Sequence, residues 1–185
     1  MKDLLHKFTS PSSNPDPENP LDPLPGMMYS IVDREGRELF CHGEGARDIL
    51  YPEVPIDDKT VMFLGSLTKL VTAIGCLIAV EEGRIALDDW EALYKIVPEI
   101  PAKQILMGFD EDYEPIWKDV PEHCPKITMR LLLTHISGFG TTFFSEDLWD
   151  FHERDIWQDD IFGGWEWMEQ SPLINEPGAV WQYGV

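Results

Sequence analysis

The sequence predicts an α/β domain, a small antiparallel sheet portion followed by a mostly helical region. Three observations predict it. Two β-compatible runs, residues 27–33 and 38–41, flank a turn signal; a long apolar helix begins near Ser66; and further helical segments follow between residues 90 and 169. The chain has 185 residues, 43% of them hydrophobic and 11% aromatic, enough for one domain with a core.

Residues 1–25 are expected to be a Pro-rich, disordered lead-in. Pro11, Pro15, Pro17, Pro20, Pro23 and Pro25 fix φ and remove donors among Ser, Asn and Asp. The domain then occupies residues 26–185. Arg34-Glu35-Gly36-Arg37 is the turn of a hairpin, and residues 48–59, with Pro52 and Pro55, read as a connecting loop. From Ser66 to Glu82, Leu67, Leu70, Val71, Ile74, Leu77 and Ile78 recur at helical spacing, and apolar residues spill around the sides. That pattern predicts a helix buried on most faces and ended by Gly83 as its C′ residue. A short helix over residues 90–100 stops at Pro101. Asp110 to Glu114 is an acidic, solvated loop without the glycine and distal glutamate of a calcium loop. Thr128 is the expected N-cap of a helix reaching His135. Residues 143–169 predict one or two amphipathic helices, and Glu176-Pro177-Gly178 predicts a turn.

The net charge of −20 disfavours nucleic acid and anionic membrane surfaces as partners. Cys41, Cys76 and Cys124 are odd in number and lack metal or redox spacing; Cys76 reads as a small core residue. With no secretory h-region and no apolar run long enough for a bilayer, the expectation is a soluble, cytoplasmic protein.

Ser66-Leu67-Thr68-Lys69 is the only S-x-x-K in the chain, and it falls at the start of the most apolar helix. Positions i and i+3 share a helix face, so the lysine amine can reach the serine hydroxyl. A serine is a poor nucleophile until a neighbouring base accepts its proton, and burial in an apolar helix would favour neutral lysine. The competing reading makes Ser66 an N-cap and Lys69 a snorkelling surface residue. His135, in Leu131-Leu132-Leu133-Thr134-His135-Ile136-Ser137-Gly138, suggests a triad with Ser66, but a His at a helix end before Ser-Gly is more often a capping and packing device. No G-x-S-x-G elbow supports an α/β-hydrolase. Tyr183, in Pro177-Gly178-Ala179-Val180-Trp181-Gln182-Tyr183-Gly184, can shuttle protons beside a cation, or be an ordinary aromatic strand residue.

Taken together and in order, these segments resemble the β-lactamase/penicillin-binding-protein (transpeptidase) superfamily. Phe63-x-x-Ser66-x-Thr68-Lys69 resembles the nucleophile motif of serine β-lactamases. Residues 127–138 and 175–184 resemble the "I-T-x-R-x-L-L-T-H-x-S-G" and "P-G-x-x-W-x-Y-G" stretches of its class C and esterase branch. The Trp-rich segment and Tyr183-Gly184 are most similar to fungal statin-type polyketide transesterases. The resemblance implies an incomplete β-lactamase-like fold and a serine hydrolase or acyltransferase with no cofactor and no metal. Ser66 would form the acyl-enzyme, Lys69 would take its proton, Tyr183 would shuttle it, and the Ser66 backbone N–H would be an oxyanion donor.

The implied partners are a small-molecule ester or thioester donor, an alcohol or water acceptor and, in secondary metabolism, an acyl carrier protein. Val185 stands where β-lactamases carry Asn, which argues against β-lactam turnover. The family's C-terminal half does not follow Tyr183, so the expectation is a truncated product or one piece of a larger protein, with the 27–41 hairpin left with an unpaired edge. Two further readings stand beside the enzyme: a catalytically inactive fragment or pseudoenzyme, and a binding module using the tryptophan-rich segment from Trp149 to Trp167.

Overall fold

The computed structural model describes residues 1–10, 23–152 and 169–184. They fall into two compact units, Met1–Phe63 and Leu64–Val185.

The first unit is built on an antiparallel sheet of strands β1 (Gly26–Val32), β2 (Glu38–Asp48) and β3 (Tyr51–Pro55), in the order β1-β2-β3. The predicted hairpin is present, with Ile31 opposite Phe40. Its turn is held by the Asp33 carboxylate, which accepts from the N–H groups of Glu35 (3.0 Å) and Arg37 (2.8 Å). Two expectations are corrected here. The 48–59 segment is not all loop: it supplies β3, which pairs with β2 at Ala46 and Asp48, beyond the 27–41 hairpin. Tyr51 and Val54 suit a strand, and an edge strand tolerates Pro52 and Pro55 because it need not donate on both sides.

The lead-in is not disordered throughout. Lys2–Thr9 forms helix α1, free of proline, with Leu5 buried and His6 Nδ1 3.0 Å from Glu44 Oε1 on β2. Leu24 N–H donates to Phe8 O (3.0 Å); residues 11–22 lie outside the described residues.

In the second unit a 3-10 turn, Gly65–Leu67, leads into α2 (Thr68–Glu81). Gly83 ends it at φ 70°, with Arg84 N–H donating to Ala79 O (2.9 Å), as the C′ expectation requires. The expected burial of α2 is overturned. Leu70 is 63% exposed and Ile74 50%, and Cys76 is half-buried rather than a core residue. A helix apolar all round needs cover on several sides, and among the described residues the hydrophobic core of its own unit reaches only Ala79 and Val80.

Helix α3 (Trp90–Ile96) is capped by Asp89, whose carboxylate accepts from Ala92 N–H, and a 3-10 turn, Ile100–Ala102, follows it. Strands β4 (Ile105–Phe109) and β5 (Pro115–Lys118) then form an antiparallel ribbon that the sequence reading missed, because a five-residue run broken by Gly108 carries little periodicity. The acidic run is its turn, with the Asp110 carboxylate accepting from Asp112 and Glu114 N–H, each at 2.9 Å. Helix α4 (Met129–Leu133) starts at Thr128, whose hydroxyl accepts from Leu131 N–H (3.3 Å), confirming the N-cap. Helix α5 (Glu146–Phe151) opens the region expected to hold amphipathic helices. Residues 153–168, including most of the Trp-rich segment, lie outside the described residues.

Ile85, Leu93, Ile100, Ile105, Ile127, Phe139 and Leu173 make up the core of this unit. The final segment joins it through Leu173, which exchanges backbone hydrogen bonds with Gln104 (3.0 Å) and Leu106 (2.8 Å). Leu148 on α5 is fully buried. Leu148→Ala should therefore lower stability by about 2–5 kcal/mol in urea unfolding, and a loss below about 1 kcal/mol would mean that α5 is not packed as described.

Candidate active site

Three chain segments converge around one tyrosine. The first is the turn into α2, which carries Ser66 and, one helical turn later, Lys69. Leu67, not Ser66, occupies the N-cap of α2, so the Ser66 hydroxyl is not spent on capping. The second is the loop after α4. The start of α4 is fixed by Ile127 N–H donating to Tyr94 Oη (3.1 Å) and by Arg130 N–H donating to Leu87 O (3.0 Å). At its end His135 adopts φ 58°, a left-handed conformation unusual for a residue with a side chain, which turns the chain sharply toward Gly138.

The third segment, residues 169–184, lies along that loop. Gly138 O accepts from Ile174 (2.9 Å), Ile136 O from Gly178 (2.8 Å) and His135 O from Gln182 (2.9 Å). The approach needs Gly138. Its φ is 96°, and a Cβ there would come within 2.4 Å of Asn175 O. These backbone bonds deliver Tyr183 to Ser66 and Lys69.

The three residues singled out in the sequence, Ser66, Lys69 and Tyr183, are thus brought together. Lys69 Nζ stands 4.9 Å from the centre of the Tyr183 ring, and Ser66 lines the same groove as Tyr183. The hydrogen bond from Ser66, followed by that of Lys69 and its positive charge, holds the Tyr183 phenol below its ordinary value despite opposing desolvation. Lys69 is half-buried and Ser66 exposed, so the apolar enclosure expected for the lysine is not formed by these residues. Ser66, Phe144, Trp181, Gln182 and Tyr183 line an open groove, with Phe144 and Trp181 as apolar walls. A serine hydroxyl, an amine and a phenol grouped around one groove have the chemistry that a proton relay to a hydroxyl nucleophile needs.

His135 is the residue whose part the sequence reading underestimated. Its ring stacks on Tyr183 at 4.8 Å between centroids, and Phe144 meets the tyrosine edge-on at 6.0 Å. Its carbonyl holds Gln182, and its Nδ1 accepts from Gly184 N–H (3.3 Å), so it grips the chain on both sides of Tyr183. Burial and then the charge of Lys69 push the imidazole below its ordinary value, which keeps Nδ1 free to accept. The Leu-Leu-Thr-His-x-Ser-Gly spacing was the only hint of this role, and it does not show which ring would meet the histidine.

The sign of the pH effect follows. A histidine whose folded value is depressed contributes fully above its ordinary value of about 6.5, and the contribution is lost as pH falls toward the lowered folded value. Urea midpoints measured against pH should therefore fall more steeply below about pH 6.5 in the native sequence than in His135→Gln. Superimposable curves would show that His135 is not held neutral.

A family comparison completes the description: the beta-lactamase family profile matches residues 22–184. The chain belongs to the beta-lactamase family. Relatives at similar distance include an acyltransferase, mokF, of Monascus pilosus, 33% identical over 88% of this chain and 39% of the relative. A lovastatin esterase of Penicillium rubens is 32% identical over 86% of this chain and 39% of its own length. Simvastatin synthase from Aspergillus terreus, as its LovD6 mutant, superposes with a TM-score of 0.69 at 31% identity, covering 86% of this chain and 37% of that one. The described residues therefore take a beta-lactamase-like fold, and the chain spans about two fifths of the length of the relatives it matches.

Proposed function

We propose that this chain carries the nucleophile centre of a serine acyl-transfer enzyme, with Ser66 as the acylated residue. The placement of Ser66 and Tyr183 on one apolar-walled groove, with Lys69 against the Tyr183 ring, carries the reading. In acylation Ser66 Oγ attacks the donor carbonyl. Its proton passes into the Lys69–Tyr183 pair, the bond to the leaving group breaks, and Tyr183 returns the proton to that group. An alcohol or water then reverses the sequence and releases the acyl chain.

The donor is a small-molecule ester or thioester, free or on a carrier protein. Phe144 and Trp181 favour apolar acyl chains or acceptors. Relatives named as a lovastatin esterase and as a monacolin J acid methylbutanoyltransferase of Aspergillus terreus support an acceptor of the polyketide class in secondary metabolism. No helix among the described residues is long and apolar enough to cross a membrane, which accords with the proposed cytoplasmic setting.

One observation favours a second reading, a catalytically silent fragment: the apolar side chains of α2, beside the nucleophile, are exposed. Treatment with a fluorophosphonate or an activated ester, followed by intact-mass measurement and peptide mapping, separates the two. A single adduct on Ser66 supports the acyl-transfer reading. A folded chain that takes no adduct would rule out activity for this chain.

A further inference from the structure

We propose that His123, Cys124 and Glu176 form a site for a thiophilic divalent cation of the zinc type. The site shares no residue with the Ser66 groove and does not depend on the acyl-transfer reading. One ligand atom from each residue lies within 4.8 Å of the other two. Cys124 Sγ is 3.8 Å from Glu176 Oε2, and His123 Nε2 is 3.7 Å from the same oxygen. Tetrahedral zinc, with bonds of about 2.3 Å to sulfur and about 2.0–2.1 Å to nitrogen or oxygen, spaces such donors about 3.3–3.6 Å apart. The two contacts to Glu176 need close by only a few tenths of an ångström, and a turn of the exposed His123 ring brings its nitrogen toward Cys124 Sγ, giving one sulfur, one nitrogen and one oxygen with the fourth position going to water.

The surroundings prepare the site. Lys118 Nζ donates to Glu176 Oε1 (2.6 Å), leaving Oε2 turned toward the other two donors. A ligating carboxylate is commonly held by such a hydrogen bond to its other oxygen. Both backbones are fixed. Cys124 N–H donates to Pro121 O (3.0 Å), and Ala179 N–H to Glu176 O (3.1 Å). The two segments are packed so closely that a Cβ on Gly178 would stand 2.7 Å from Pro125 Cγ.

Cys124 must bind as the thiolate. On binding, its S–H bond breaks, the metal–sulfur bond forms and the proton goes to solvent, so affinity should rise with pH. The net charge of −20 draws cations to the surface.

Titration of cobalt(II) into the reduced 185-residue chain tests the site, read by thiolate-to-cobalt charge-transfer absorption in the near ultraviolet and then by displacement with zinc. One ion per chain is expected. The band should vanish in Cys124→Ser, and affinity should drop by about tenfold or more in His123→Ala, whose exposed side chain can be removed without affecting folding. Cys41→Ser and Cys76→Ser should keep the band. Absence of the band in the native sequence, its survival in Cys124→Ser, or unchanged affinity in His123→Ala would each overturn the proposal.

Discussion

Ser66→Ala should abolish covalent labelling by activated esters and fluorophosphonates while leaving the far-ultraviolet circular dichroism unchanged. The effect is total because the hydroxyl oxygen is the atom that would carry the acyl group, and no rearrangement of neighbours replaces it. The fold should be indifferent, since Ser66 is exposed and caps no helix. An adduct persisting in Ser66→Ala would identify another nucleophile and remove the proposed mechanism. The thiols of Cys41, Cys76 and Cys124 are the groups to check in that event, by mapping the modified peptide.

Tyr183→Phe should slow labelling by about 10²–10⁴-fold, the range for loss of a positioned proton-transfer group. The phenol is held below its ordinary value, chiefly by the hydrogen bond from Ser66 and then by Lys69. Its ionised fraction at a given pH therefore exceeds that of a free phenol, so the labelling rate should rise with pH and level off below about pH 10. Lys69→Ala removes both the hydrogen bond and the positive charge that Lys69 supplies. In that variant the rate should fall by orders of magnitude and the inflection should move up toward the ordinary phenol value. A pH profile unchanged by either substitution would exclude the tyrosine from the relay. Retention of the Tyr183 ring by stacking on His135 and edge contact with Phe144 explains why phenylalanine, with the same shape, is the informative replacement.

Much of the candidate site was legible in the sequence because its parts are local patterns. Ser66 and Lys69 are one helical turn apart, so spacing alone placed them on one face. Thr128 announced its cap, Gly83 its helix end, and Arg34 to Arg37 its turn, each through short-range chemistry that tolerates few alternatives. The resemblance supplied what spacing could not, that a tyrosine more than a hundred residues later belongs with the serine.

Where the outcome depended on partners distant in the chain, local patterns were silent or misleading. Residues 51–55 contain two prolines and read as loop, yet β2 offers an edge on which they can pair. Residues 2–9 were read with the prolines that follow them, yet burying Leu5 and bonding His6 to Glu44 suffices to dock a helix. The apolar pattern of α2 stated what the helix would need to bury, but what covers it is a property of other elements; among the described residues of its own unit the core meets only Ala79 and Val80.

The sequence by itself determined the secondary elements with strong local signals, the spacing of Ser66 and Lys69, and the family. Tertiary structure alone decided that His135 stacks on Tyr183 rather than serving Ser66, and that His123 and Cys124 meet Glu176. The first pairing arises from backbone hydrogen bonds and the second from side-chain contacts, both between segments some fifty residues apart, and chain closure over that distance leaves no periodic trace in the residues it joins.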